Sequence, residues 1–279
     1  MKVPITLGFR EFKEIRDLIY QKTGIFITEE KIYLLKKRVE KRMSEKRMTN
    51  PEEYVRFLKY FDKNGEEFNE LINEVTINET YFFREFPQLQ VFAEHCLPEL
   101  IERTNVKFVK ILSAGCSSGE EPYTLSIICR EMLYPSYQYH IMALDIDDNA
   151  LKKAAEGIYE ERSIKDVPKV YLRKYFQTIE RGYRVIDEVR KFVSFYKINL
   201  FDDKQLLSFG KDFDFVFCRN VLIYFSDESR RKVVNTFYLM MKPGAYIFLG
   251  HSESLSRITT LFELKRMGNG LVYQKPLER

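Results

Sequence analysis

Cysteine is scarce in this 279-residue chain. Cys96, Cys116, Cys129 and Cys218 are the whole supply, with no C-x-x-C pair and no Cys/His grouping at metal-ligand spacing. A zinc site is therefore not expected, and a disulfide framework is improbable in a chain of this size, so the thiols are expected to be reduced and intracellular. Long apolar runs are also missing. None reaches the ~18 residues that a membrane-spanning helix needs, and the opening MKVPITLGFREFKEIRDL has no apolar stretch of the secretory type. A cytoplasmic protein without membrane insertion is expected. Charge of one sign does not dominate: 45 Lys and Arg against 41 Asp and Glu leave a formal net charge of +4, too mild for a general nucleic-acid binder. Two phosphate-binding signatures are absent. Without G-x-G-x-x-G a dinucleotide site is disfavoured, and without G-x-x-x-x-G-K-[ST] the chain is no Walker A nucleotide triphosphatase.

What is present supports a sizeable core, since 45% of residues are hydrophobic. Residues 1–75 read as a small helical domain. Phe9, Phe12, Ile15, Ile19 and Tyr20 recur at three- and four-residue steps, and Ile32, Leu35, Val39 and Met43 form a second stripe along 31–47, with Thr28 as its candidate cap. Asn50-Pro51-Glu52-Glu53 has the cap, proline and acids of a third helix start, and 68–75 suggests a fourth. Residues 76–105 read as a linker and a helix. From 106 to 279 the pattern alternates: strands are predicted at 107–114, 139–144, 213–218, 245–250 and 271–275, and helices at 121–133, 149–156 and 228–241, the last stopped by Lys242-Pro243-Gly244. Such alternation implies an α/β fold with a parallel sheet and right-handed crossovers. Three β-like runs at 176–179, 183–186 and 193–196 interrupt it, and predict a small antiparallel β insertion at about 175–198.

The strongest local signal is Ile111 to Tyr123, ILSAGCSSGEEPY: a strand, a loop with Gly115 and Gly119, and a helix start. Open α/β sheets bind ligands at the carboxyl ends of their strands, and glycine lets backbone approach a ligand closely. Glu120 and Glu121 would repel a phosphate and welcome a cation such as a sulfonium or amine, although acids at a helix start can equally be there to stabilise the helix. Asp145 ends the next strand, where a carboxylate can accept hydrogen bonds from ribose hydroxyls. Together these features favour S-adenosylmethionine over NAD.

SAGCSSGEEPYTLSI resembles the first cofactor motif of the CheR-type chemotaxis receptor glutamate O-methyltransferases. INETYFFRE (77–85), ALDIDDNAL (143–151), GIYEERSI (157–164), FVFCRNVLIYF (215–225) and MKPGAYIFLGHSES (241–254) match the same family in the same order, over essentially the whole chain. The resemblance implies a Rossmann-like class I methyltransferase sheet with an N-terminal all-helical domain. It implies a cofactor pocket made by Asn78, Thr80, Arg84, Gly115, Glu121, Asp145, Asn199-Leu200 and Asn220-Val221, with Tyr224 near the transferred methyl. It further implies transfer of that methyl from S-adenosylmethionine to receptor glutamates, leaving S-adenosylhomocysteine.

A glutamate carboxylate is ionised near neutrality, with an unperturbed pKa of about 4.3, so the chemistry needs no general base, and the chain offers no evident His/Asp pair. Arg84 and Tyr224 are the expected catalytic residues, Arg84 orienting the incoming carboxylate. His251, His95 and His140 read as structural, and Phe82, Phe83, Leu222 and Phe225 as core or pocket wall. Residues 31–47 carry eight Lys/Arg against two Glu. That excess suggests an anionic partner, and the family reading is docking of Lys36, Lys37, Lys41 and Arg42 on the acidic helical bundle of a chemotaxis receptor. No nucleic acid and no metal are expected, and a monomer is. The short TIERGYRV, with Gly182 alone in that stretch, predicts an enzyme independent of a receptor C-terminal pentapeptide. Competing readings are a methyltransferase acting on RNA or another protein, which the absence of an N-P-P-Y-type motif disfavours for base amines, and a non-catalytic S-adenosylmethionine sensor.

Overall fold

A computed structural model describes residues 7–105 and 107–277. Residues 1–6, part of the stretch read for a secretory signal, lie outside the described residues. Four helices open the chain: α1 (Phe9–Thr23), α2 (Ile32–Glu45), α3 (Pro51–Arg56) and α4 (Glu66–Val75). Their apolar stripes meet in one core that includes Phe12, Ile15, Ile19, Leu35, Val39, Met43, Tyr54, Leu71 and Ile72. Phe9, at the edge of the first stripe, is 52% exposed. Asn50 caps α3 through its side chain, accepting from Glu52 N–H at 2.9 Å. Thr28 does not cap: a 3-10 turn at Glu29–Lys31 intervenes before α2, and the Thr28 hydroxyl is buried without a hydrogen-bond partner.

A longer helical stretch follows, α5 (Phe86–Val91) and α6 (Leu97–Thr104) joined through Phe92–Cys96. Phe92 packs edge-on against Phe215, Phe217 and Phe248 at 4.9, 5.2 and 5.9 Å, a geometry suited to aromatic quadrupoles. It fixes this stretch on the main sheet. That sheet uses β1 (Phe108–Ala114), β2 (Gln138–Asp145), β6 (Val193–Lys197), β7 (Phe213–Cys218), β8 (Met241–Leu249), β9 (Glu263–Met267) and β10 (Gly270–Gln274), in the order β6-β2-β1-β7-β8-β10-β9. The first five are parallel, and β10 runs antiparallel to both β8 and β9. α7 (Glu120–Met132) follows β1, and α8 (Asp148–Glu156) follows β2. The arrangement is that of a class I methyltransferase sheet with an N-terminal all-helical part and a small antiparallel sheet.

The antiparallel insertion differs from its expected composition. β4 (Phe176–Ile179) and β5 (Gly182–Val185) form the hairpin, but the third member is β3 (Ile158–Tyr159). The run at Val193 instead joins the main sheet as its parallel edge strand beside β2. Phe195 packs against Tyr123 there, with ring centroids 5.5 Å apart. β8 begins at Met241, ahead of the Pro-Gly pair, and a register shift against β7 absorbs the irregularity.

β1 has β2 on one side and β7 on the other, so the crossovers leave in opposite directions beyond its carboxyl end. A crevice opens there, and the helical domain closes over it.

Candidate active site

The crevice holds a cavity of about 260 Å³ bounded by both parts of the chain. The helical domain contributes Thr23, Ile25 and Val75, and the connecting segment contributes Thr76 through Tyr81 with Phe83 and Arg84. The sheet edge contributes Gly115, Ser117, Glu121, Asp145, Asn199, Leu200, Asn220, Val221 and Tyr224. Every expected pocket residue therefore lines one cavity.

Gly115 leaves β1 at φ +77°, and a Cβ built on it would stand 2.4 Å from Val221 Cγ2. A side chain is excluded by both the backbone and the neighbour. Asp145 follows at the end of β2. Its carboxylate accepts Ser117 N–H at 2.7 Å and Asp147 N–H at 2.9 Å. Burial nevertheless pushes its pKa up to about 6, ahead of the lowering effect of those two donors. Glu121 accepts from the Ser113 hydroxyl at 2.7 Å and from Arg219 Nη1 at 3.3 Å, and burial raises its carboxyl too, outweighing the nearby guanidinium. Glu120 turns away from the cavity to Ser118 and Ser163, at 2.7 and 3.0 Å. The two acids at this helix start thus have different tasks.

Asn78 ties the connecting segment to the sheet edge: its Nδ2 donates to Asp147 at 2.7 Å and its Oδ1 accepts from the Ser117 hydroxyl at 2.9 Å. Asn199 donates to the Lys22 carbonyl at 2.7 Å and accepts Phe201 N–H at 3.1 Å, so its amide ties the sheet edge to α1. Leu200 is a buried wall. Arg84 follows Phe83, which has φ +60°, and precedes Glu85, at φ +55°. Its Nη1 donates to the Glu79 carbonyl at 2.6 Å. The Tyr224 carbonyl accepts Phe26 N–H at 2.8 Å, and burial raises its phenol pKa. Phe82, Phe83, Leu222 and Phe225 are buried. His251 is exposed, and its main-chain N–H donates to Glu85 at 3.1 Å.

Two charged residues beside the site were not singled out in the sequence. Arg219 is buried and donates to Gln88 Oε1 at 3.1 Å, to the Arg84 carbonyl at 2.6 Å, and to Glu85 and Glu121 at 3.3 Å each. A charged residue directly after the wholly buried strand Phe213–Cys218 was the available signal. The other is Glu253, on the loop after β8.

The four expected docking residues do not share one face. Lys37 is exposed and Lys36 is partly so. Lys41 is exposed and pairs with Glu74 at 2.6 Å. Arg42 is buried, gripping Glu67 with Nε at 3.0 Å and Nη2 at 2.7 Å. It holds α2 against α4, so it is a core residue and its guanidinium is not presented to a partner. Among the described residues no group of three or more His, Cys, Asp or Glu is placed to hold a metal ion, and no helix is long and apolar enough to cross a membrane. All four cysteines are buried and free.

The donor set suits S-adenosylmethionine. The donors around Glu121 and Asp145 offset only part of their desolvation, as both raised carboxyls indicate; a ligand would offset more by bringing a cation to Glu121 and hydroxyl donors to Asp145, while Leu200 and Val221 offer apolar walls.

Comparison with known proteins agrees. Residues 10–76 match the family model "CheR methyltransferase, all-alpha domain", and residues 78–270 match "CheR methyltransferase, SAM binding domain". The chain is 41% identical over 276 residues to "Chemotaxis protein methyltransferase 2" of Vibrio cholerae, covering 98% of this chain and 95% of that one. It is 35% identical to the "Chemotaxis protein methyltransferase" of Borreliella burgdorferi, over 88% of each. It is 32% identical to the Escherichia coli protein of the same name, over 94% of this chain and 90% of that one.

Proposed function

This chain belongs to the CheR methyltransferase family, and on that premise we propose that it methylates glutamate side chains of chemotaxis receptors with S-adenosylmethionine, giving methyl esters and S-adenosylhomocysteine. The observation that carries the reading is the convergence of Arg84 and Tyr224 on the cavity that also holds Glu121 and Asp145. When bound, S-adenosylmethionine supplies a methyl group on a positively charged sulfur.

The chain's own residues then have to align and dry the reactants. A receptor glutamate arrives ionised, so no residue need remove a proton. Arg84 receives the carboxylate through its guanidinium fork, and Tyr224 donates its hydroxyl hydrogen to the same group. A phenol of ordinary pKa, about 10, is protonated near neutrality and hence a donor, and burial raises this one further. Holding the reacting atoms in line can contribute as much as about 7–11 kcal/mol, and exclusion of water helps because the opposite charges of the reactants cancel as they react. The exposed face of α2, with Lys36 and Lys37, docks the acidic helical bundle of the receptor. The hairpin of β4 and β5 turns at Arg181-Gly182, and the enzyme works without a receptor pentapeptide, as a cytoplasmic monomer.

The test is transfer of labelled methyl from S-adenosylmethionine to a receptor signalling fragment, followed by mild alkali. Label released as volatile methanol establishes a carboxyl ester. Alkali-stable label would point to N-methylation, and absence of transfer alongside measurable cofactor binding would favour a sensor. Arg84→Ala and Tyr224→Phe are each expected to lower the saturated rate by roughly 10- to 150-fold, the worth of a hydrogen bond to a charged group at about 1.5–3 kcal/mol. Wild-type rates in both variants would remove these two residues from the reaction.

A further inference from the structure

Glu253, in the segment His251-Ser252-Glu253-Ser254 after β8, has no part in the scheme above and does not line the cavity. Its carboxylate nevertheless gathers three main-chain donors. Oε2 accepts Asn220 N–H at 2.8 Å and Gly250 N–H at 2.6 Å, and Oε1 accepts Ile223 N–H at 3.2 Å. Two of the three belong to the turn Asn220–Tyr224, which carries both the Val221 wall and the Tyr224 phenol.

That turn needs holding. Asn220 sits at φ +60°, a left-handed conformation that asparagine tolerates better than most side chains but that is still less favourable than the right-handed region, so contacts that fix it hold the turn in shape. Its side-chain amide goes to Glu85 at 3.2 Å, which leaves its main-chain N–H to Glu253. The opposite edge of the turn is held by Phe26 N–H on the Tyr224 carbonyl and by Arg230 Nε on the Leu222 carbonyl, at 2.8 and 2.7 Å. The space around the carboxylate is filled: a Cβ on Gly250 would lie 2.7 Å from Asn220 N and 2.8 Å from Glu253 Oε2.

We infer that Glu253 is the positioning residue for Tyr224, its carboxylate clamping the turn after β7 so that the phenol faces the reacting carboxylate. The inference rests on the role proposed for Tyr224. A carboxylate suits the task because it is acceptor-only, with two oxygens and about four lone-pair sites. A glutamine has the same shape but one acceptor oxygen, and it turns an NH₂ toward N–H groups that need an acceptor.

The experiment measures methyl transfer at saturating S-adenosylmethionine and receptor fragment. The chains compared are wild type, Glu253→Gln, Glu253→Asp, Tyr224→Phe and the Glu253→Gln/Tyr224→Phe double variant, each checked for folding by thermal unfolding. Glu253→Gln is expected to lose about 10- to 100-fold in kcat, the penalty for misplacing a reacting group by about an ångström, with KM for the receptor fragment nearly unchanged. Glu253→Asp keeps two acceptor oxygens and is expected to recover part of that loss. In the Tyr224→Phe background Glu253→Gln is expected to cost no more than about twofold further, because the two residues act as one unit. An unchanged kcat for Glu253→Gln, or a full multiplicative penalty in the double variant, would overturn the inference. Should Glu253→Gln fail to fold, Glu253→Asp takes its place in the same cycle, and its smaller loss must likewise vanish beside Tyr224→Phe. A wild-type rate for Tyr224→Phe overturns the role of Tyr224 and this inference together, and it is seen in that single variant, so the two failures are told apart.

Discussion

Asp145 has a carboxylate that two backbone N–H groups already hold, yet burial still raises its pKa to about 6. The unfolded value is about 3.9, so between these two values the folded chain keeps a proton that the unfolded chain has released. Its contribution to stability is therefore fully present below about pH 4 and is lost as pH rises through about 6. Ligand binding runs the other way. If, as proposed, ribose hydroxyls donate to the ionised carboxylate, binding below about pH 6 must expel the proton, and cofactor affinity is expected to weaken by up to about tenfold per pH unit on acidification. Calorimetry of S-adenosylhomocysteine binding in buffers of different ionisation enthalpy measures the proton released. Asp145→Asn is expected to bind more weakly at neutral pH and to flatten most of the dependence. Glu121, whose carboxyl is also raised, supplies a remainder. An unchanged pH slope in Asp145→Asn would assign the linkage to Glu121 alone.

Helix α2 shows how a charge run divides once it is folded. Leu35, Val39, Arg42 and Met43 fall at i, i+4, i+7 and i+8, so Arg42 lies on the buried stripe, while Lys37 lies on the exposed face. Breaking the buried pair strips Glu67 of its guanidinium and leaves it the Tyr54 hydroxyl at 2.8 Å and the Lys46 ammonium at 3.4 Å. Arg42→Ala is therefore expected to cost about 3 kcal/mol in denaturant unfolding, the low end of the range for a broken buried pair, because Lys46 still offsets part of the charge. A Lys36→Glu/Lys37→Glu variant is expected to shift stability by no more than about 0.5 kcal/mol, while raising KM for the receptor and leaving cofactor affinity alone. Equal destabilisation by both variants would mean that the lysines too are structural. The position of Arg42 was legible from the same 3.6-residue period that gave the apolar stripe, but its partner, 25 residues away, was not. The same boundary runs through the rest of the molecule. The alternation of strand and helix, and the loops at strand ends, are local patterns, so the parallel sheet, Gly115 and Asp145 could be read directly, whereas Asn220 came from the family resemblance alone. The destination of Val193–Lys197 could not, because a short β-branched and aromatic run suits either a hairpin or a sheet edge, and contact with β2 decides. β9 passed unread because Glu263–Met267 is an exposed outer strand with no apolar alternation to mark it. Arg219 and Glu253 were missed for a further reason: their value lies in which distant groups they meet, mostly side chains for Arg219 and backbone N–H groups for Glu253, and only the tertiary fold sets that.

At the scale of the whole molecule, the cavity is a seam. Thr76 and Asn78 both donate to Asp147 at 2.7 Å, Asp148 N–H reaches Asn73 at 3.2 Å, Asn199 holds the Lys22 carbonyl, and Phe26 N–H holds Tyr224. An isolated bridge at Ile25 and Phe225 and the contact between the Tyr20 and Ser226 hydroxyls, at 3.0 Å, extend this seam along the helical domain. Cavity walls come from both sides, so a ligand there binds the docked arrangement and has little purchase on either half apart. Binding only to that state stabilises it by RT ln(1 + [L]/Kd), about 2.7 kcal/mol at a hundredfold excess over Kd, enough to raise the unfolding midpoint of a chain this long by roughly 5 °C. The rise should appear in both halves together. Hydrogen exchange with and without S-adenosylhomocysteine is expected to show added protection at Ile25–Phe26 and at the end of α4, as well as at the Gly115 loop and the turn after β7. Protection confined to the sheet-side loops, with Thr23–Ile27 unchanged, would mean that the methyltransferase sheet alone holds the cofactor and that the helical domain closes only when the receptor docks.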